Sequence, residues 1–140
     1  MCKLTNQDAQ RLYSNHKDKP NFKEMCSHLS SDLIMALELT YDNSVNKWLH
    51  LMGPSNPQIA KKEAPYSIRA TFGQDELKNA VYGSESSTSA AKDLEFFFSH
   101  SSTIKCPAYF TTCSCLIIKP HILSEGKVGK IIDIILTSTF

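Results

Sequence analysis

The sequence predicts an α/β fold, a small sheet with helices packed on it. Three observations predict it. Residues 33–41, LIMALELTY, form a nearly continuous apolar run, as a strand covered by helices requires. Residues 113–118, CSCLII, form a second run of this kind, ended by Lys119-Pro120. Around these runs, apolar residues recur at spacings of three and four, the period of helices that bury one face. Periodicity alone leaves parallel and antiparallel sheets open.

Each element has its own signal. Thr5 with Asp8 is a capping-box-like start, and Ala9, Leu12 and Tyr13 follow at helical spacing. Lys17-Asp-Lys19-Pro20 is a polar break, and Pro20 suits the start of a new helix. Phe22, Met25, Cys26 and Leu29 then line one helical face. In the strand 33–41, Glu38 and Thr40 share a face. Asp42-Asn43-Ser44 restarts a helix carrying Val45, Trp48, Leu49 and Met52 as core, and Gly53 is placed to end it. Gly53-Pro-Ser-Asn-Pro57 is a loop. A short helix is expected at Tyr66 to Phe72 and a further turn of helix at Gln74 to Lys78. Ala80-Val81-Tyr82 suits a brief strand. A helix is expected from Ser87 or Thr88 to Phe98, with Ala90, Ala91, Leu94, Phe97 and Phe98 on its apolar side. Residues 99–112 have no period and read as a linker. After the strand 113–118, Ser124 is expected to cap a helix with Val128, Ile131, Ile132, Ile135 and Leu136 inward.

Composition narrows the function classes. The chain has 140 residues, 41% of them hydrophobic and 21% charged, enough to bury a core without disulfides or metals. Fifteen basic and 14 acidic residues leave a formal net charge of +1, so bulk charge gives no case for nucleic acid or an anionic membrane. The N-terminus lacks the shape of a signal peptide, and the apolar-rich run Val128 to Leu136 is too short to span a bilayer and contains Asp133. A cytoplasmic setting is expected. Cys2, Cys26, Cys106, Cys113 and Cys115 form no CxxC pair and read as free thiols of a reducing compartment. His16, His28, His50, His100 and His121 show no metal-ligand pattern and read as polar surface or helix-face residues.

Asn79-Ala-Val-Tyr82-Gly-Ser84 is the most informative segment. Ser89-Ala-Ala-Lys-Asp93 follows it, and Ser67-Ile-Arg69 and Gly53-Pro-Ser55-Asn-Pro57 precede it. Further back stand Tyr13 and Lys17-Asp-Lys19-Pro20, and at the far end Cys115-Leu-Ile-Ile-Lys119-Pro120. Together these motifs resemble the nucleoside diphosphate kinase family. The resemblance implies a ferredoxin-like antiparallel sheet with helices, here incomplete. It places Tyr82 where the family has its phosphate-accepting histidine, Asp93 where it has a glutamate contacting that histidine, and Ser84 at its serine. It makes Tyr13, Ser55, Arg69, Asn79 and Lys119 candidates for nucleotide or phosphate binding. It implies a nucleoside di- or triphosphate as ligand and a magnesium-bound nucleotide as the accompanying cofactor; the residues alone assign no cofactor and no metal.

Two departures from the family pattern carry consequences. The Ile-Ile-Lys-Pro strand opens the family domain, yet here it follows the late helix. Residues 1–98 therefore read as the C-terminal portion of one such domain, 99–112 as a linker, and 113–140 as the first strand and helix of the next. The alternative is a permuted single domain. Tandem domains resemble the ciliary and sperm-tail branch, some members of which carry a thioredoxin domain; an axonemal location and axonemal or self-associating partners are what that resemblance implies. The second departure is chemical. Histidine is nucleophilic near neutral pH and its N–P bond donates onward, whereas tyrosine has a pKa of about 10 and forms a poorer donor. Leu49 also stands at a family arginine, Asp93 shortens the acidic arm, and His121 replaces an aspartate. The expected function is a catalytically inactive nucleoside diphosphate kinase-like module, possessing no intact catalytic histidine and retaining nucleotide binding. The alternatives are an active kinase passing a γ-phosphate to a nucleoside diphosphate, and a truncated structural fragment.

Overall fold

The structure, a computed structural model, describes residues 1–98 and 113–138. The linker segment 99–112 named above lies outside the described residues. Four strands form one antiparallel sheet: β1 (Cys2–Lys3), β2 (Leu33–Thr40), β3 (Val81–Gly83) and β4 (Cys113–Ile118). Their order across the sheet is β1-β2-β4-β3. β4 therefore lies between two strands that come much earlier in the chain. Its residues 113–118 pair with Thr40 back to Met35 on one side. On the other side Leu116, Ile117 and Ile118 pair with Gly83, Tyr82 and Val81.

Every residue of β4 is buried, which explains its nearly continuous apolar run, interrupted only by Ser114. Its two faces meet two different clusters. Cys113, Cys115 and Ile117 point one way, with Ile34 and the helices α1 (Asn6–Leu12), α2 (Phe22–Leu29) and α6 (Ser87–Phe98). Leu116 and Ile118 point the other way, toward Trp48 and Met52 of α3 (Ser44–Met52) and Ile68. Ile122, Ile131 and Ile135 from the C-terminal helices complete that second cluster. Cys2, Cys26 and Cys115 are free thiols; Cys113 and Cys115, two residues apart, share one face of the strand.

Several expected elements form for the reasons given. Thr5 and Asp8 close a capping box at α1, each bonding the other's backbone N–H, at 3.2 and 3.1 Å. Gly53 follows α3 with φ +79°, and a Cβ there would collide with Ser67, so glycine is required. Ser86 and Ser89 bond one another's backbone N–H at the start of α6, at 3.1 and 2.9 Å.

Other expectations are corrected. A helix α4 (Pro57–Glu63) precedes α5 (Ile68–Phe72), and Tyr66 stands outside it, almost fully exposed. Residues 74–78 are no helix: the Asp75 carboxylate accepts from Leu77 and Lys78 N–H at 2.8 and 2.6 Å, folding the backbone into a turn. Ser124 caps nothing; it ends α7 (Pro120–Ser124), with its hydroxyl returned to the His121 carbonyl at 2.9 Å. Gly126 then turns the chain at φ +66° into α8 (Val128–Thr137). His121 is buried, not superficial, and its Nδ1 lies 3.2 Å from Nε2 of half-buried His28. No helix of the described residues is long and apolar enough to cross a membrane.

Candidate functional site

The candidate residues gather because three turns converge on one end of the sheet. Asn79 to Val81 makes a tight turn, the Val81 N–H reaching the Asn79 carbonyl at 2.9 Å, with Ala80 in the left-handed region at φ +73°. Such a φ is rare for alanine and costs free energy that the surroundings offset. The Lys119 N–H fixes the Ala80 carbonyl at 2.9 Å, so the end of β4 holds this turn. The Asn79 amide donates to the Ser55 carbonyl at 3.1 Å, tying in the 53–57 loop.

A cavity of about 910 Å³ opens at this convergence. Tyr13, Ser55, Arg69, Asn79, Tyr82 and Lys119, the residues singled out by motif, all line it. Ser84 and Asp93 do not; Asp93 belongs to a separate cavity of about 100 Å³ beside Arg11 and Lys92. The sequence reading missed Met25, Ile59, Glu76 and Glu85 in the larger cavity. None of the four sits in a recognisable motif; only their proximity in the folded chain reveals them.

Arg69 is nearly buried although α5 is short. Ser67 caps that helix and orients it, its oxygen accepting from Ala70 N–H at 3.3 Å. The guanidinium then reaches two backbone carbonyls, donating from Nη1 to Gly53 at 2.9 Å and from Nη2 to Val81 at 3.2 Å. Its Nε is buried without a partner. Burial draws the Arg69 pKa down to about 10, leaving it charged at neutral pH.

Lys119 is 5% exposed and, among the described residues, faces no carboxylate at bonding distance. Its ammonium donates to Asn79 Oδ1 at 2.6 Å and to the Leu77 carbonyl at 3.2 Å. Burial, with the Arg69 charge adding to it, pulls its pKa down to about 7.

Tyr82 lies beside Tyr13, edge to face, with ring centroids 5.5 Å apart. Its hydroxyl donates to Asp93 Oδ2 at 3.0 Å, and Ser84 donates to the same oxygen at 2.7 Å. Burial, reinforced by the Asp93 charge, lifts the Tyr82 pKa well above the ordinary phenol value. Burial raises Asp93 too, while the two hydroxyl bonds act in the opposite direction. The Tyr82 proton is therefore held by a group outside the cavity that its ring lines. Among the described residues, no group of three or more His, Cys, Asp or Glu side chains is placed to hold a metal ion. A magnesium ion would arrive with a nucleotide's phosphates.

Known proteins match this chain. The nucleoside diphosphate kinase family profile covers residues 1–103. Nucleoside diphosphate kinase homolog 7 of Rattus norvegicus is 39% identical over 142 aligned residues, covering all of this chain but 36% of the rat protein. The chain thus spans little more than a third of that relative. The nucleoside diphosphate kinase of Persephonella marina is 37% identical over 97 residues, 69% of this chain and 67% of its own. The crystal structure of the Aquifex aeolicus nucleoside diphosphate kinase superposes with a TM-score of 0.62 at 30% identity, covering 71% of this chain and 70% of that one. The antiparallel sheet and its helices match the fold of that structure, and this chain belongs to the nucleoside diphosphate kinase family.

Proposed function

We propose that this chain is a nucleotide-binding module of the nucleoside diphosphate kinase fold that does not run a phosphoenzyme relay. One observation carries the reading: at the position where the motif calls for a nucleophile, the Tyr82 hydroxyl is bonded to Asp93 and its pKa is raised. A relay needs a group that attacks a phosphorus and then releases it readily. A protonated phenol tied to a carboxylate does the first poorly, and an aryl phosphate does the second poorly. The retained cavity with Arg69, Lys119, Asn79 and Ser55 supports ligand binding without that chemistry.

Two measurements test it. Calorimetry with adenosine and guanosine nucleotides is expected to show saturable binding. Incubation with a nucleoside triphosphate and a different nucleoside diphosphate is expected to give no transfer above a buffer control. Turnover would favour the active-kinase alternative; absence of all binding would favour a purely structural module.

We further read 1–98 as the later part of a family domain, 99–112 as the linker and 113–140 as an opening strand-and-helix segment. The profile match ending at residue 103 supports this division. So does the rat relative, whose alignment runs through the whole chain in the same order. The seating of β4 between β2 and β3 supports the permuted single-domain version, in which the opening segment fills the sheet of its own chain. A ciliary or sperm-tail setting, with axonemal partners, rests on the branch resemblance. Imaging of a tagged chain against axonemal tubulin tests it, and diffuse cytoplasmic signal in ciliated cells would contradict it.

A further inference from the structure

Glu76 lines the cavity but bonds neither of its buried cations, Arg69 and Lys119. Those two act on one another, and the Lys119 partner Asn79 is tied to Ser55, so they mark one end of the site. Arg69 Nε is buried without a partner, and this end therefore keeps a donor for phosphate oxygens. The carboxylate whose charge acts on Arg69 is Glu85, and the one that acts on Lys119 is Asp75.

Glu76 is held by a different group. Its Oε1 accepts from Asn56 Nδ2 at 2.7 Å. The same Asn56 side chain caps α4, its Oδ1 accepting from Gln58 and Ile59 N–H at 2.8 and 3.3 Å. One amide thus fixes the carboxylate beside the helix turn that carries Ile59, part of the apolar wall with Met25, Leu49 and Met52. Glu76 Oε2 has no partner among the described residues.

A carboxylate only accepts hydrogen bonds, and its two oxygens suit a pair of neighbouring donors. Next to an apolar wall, the matching ligand is a flat ring with two N–H groups side by side on its edge. Guanine has that edge, in N1–H and the N2 amino group. Adenine sets one amino group beside a bare ring nitrogen, whose lone pair a carboxylate repels. Resting on the nucleotide-binding reading above, we infer that Glu76 makes this cavity selective for guanine over adenine nucleotides. Its carboxylate accepts from guanine N1–H and N2–H while the phosphates face Arg69 and Lys119.

Titration calorimetry of the full chain near neutral pH, with magnesium present, tests the assignment. The probes are GDP, ADP and inosine diphosphate, whose base keeps N1–H but lacks the N2 amino group. GDP is expected to bind about tenfold more tightly than ADP, with inosine diphosphate between them. Equal affinity for GDP and ADP, or a preference for ADP, overturns this inference and leaves nucleotide binding standing. Inosine diphosphate binding as tightly as GDP overturns the two-donor contact. Absence of binding by all three overturns the nucleotide-binding reading itself, and this inference with it. Glu76 is exposed, so Glu76→Gln is expected to fold as the parent does. Its remaining oxygen can still accept from Asn56, while its amino group replaces the acceptor that guanine needs. GDP binding is expected to weaken, and ADP binding to hold or tighten, since an amino group can donate to adenine N1. An equal loss for both would assign Glu76 a purely structural role and overturn the inference.

Discussion

Tyr82 and Gly83 are adjacent, yet they constrain the molecule in different ways. Tyr82 stands where the motif resemblance puts the family's histidine, and its hydroxyl donates a hydrogen bond to Asp93. Its replacement Tyr82→His would put a ring nitrogen with a pKa near neutrality beside the same carboxylate. With Arg69 and Lys119 already lining the cavity, Tyr82→His is expected to acquire an acid-labile, base-stable phosphoryl label from γ-labelled ATP. A label no greater than that of the parent chain would mean that more than the nucleophile has been lost, with Leu49 the next residue to examine. Gly83 carries no such chemistry. A Cβ there would collide with the indole Nε1 and Cδ1 of Trp48, which is fully buried. Gly83→Ala is therefore expected to cost about 1–3 kcal/mol of stability by overpacking, measured from denaturant midpoints. An unchanged midpoint would contradict the packing described around Trp48.

Among the elements, α2 and α7 meet through His28 and His121, whose ring nitrogens lie 3.2 Å apart. One nitrogen of that contact must carry the proton and the other must accept it. Burial draws both pKa values below the ordinary imidazole range, His121 to about 4. Lys119 and Lys78 act in the same direction; Asp75 opposes them at His28 and Glu125 at His121. The unfolded chain therefore binds more protons than the folded one between about pH 6.5 and about pH 4. Stability is expected to fall as pH drops through that window, by on the order of 2 kcal/mol from His121, with His28 acting in the same direction. His121→Asn is expected to flatten the fall; an identical pH profile in parent and variant would exclude this pair as its source. Reading the elements from sequence worked where a period was long enough. The strands β2 and β4 and the helices α2, α3 and α6 each have a clear apolar stripe or run. The short helices α4 and α7 have no stripe, although each begins with a proline at its first turn. The pattern reads His121 only as a polar surface or helix-face residue; it lies on α7, and its burial follows from that helix packing against residues far away in sequence, which no local pattern encodes.

The molecule as a whole depends on β4, since β2 and β3 pair with it and not with each other. Motif order reads the segment 113–140 as an opening strand and helix, but does not say where it sits. Its position is a long-range choice made by two strand edges and a strand that is apolar but for Ser114. Thr40 and Cys113 stand opposite one another in the β2–β4 register, with Oγ1 and Sγ 3.7 Å apart. Thr40→Cys is therefore expected to form an intrachain disulfide with Cys113 under mild oxidation, running as a faster monomer on a non-reducing gel. Cross-linked dimers alone would show that β4 seats in another copy's sheet. The proposal that the chain forms no transferable phosphoenzyme concerns the whole molecule, and phosphoenzyme trapping tests it most directly. The full chain is incubated with γ-labelled ATP and magnesium, quenched, and divided between acid and alkaline treatment before counting. No label above background is expected in either portion. Label that survives alkali, is lost in acid and passes to added nucleoside diphosphate would contradict the inactive-module reading outright.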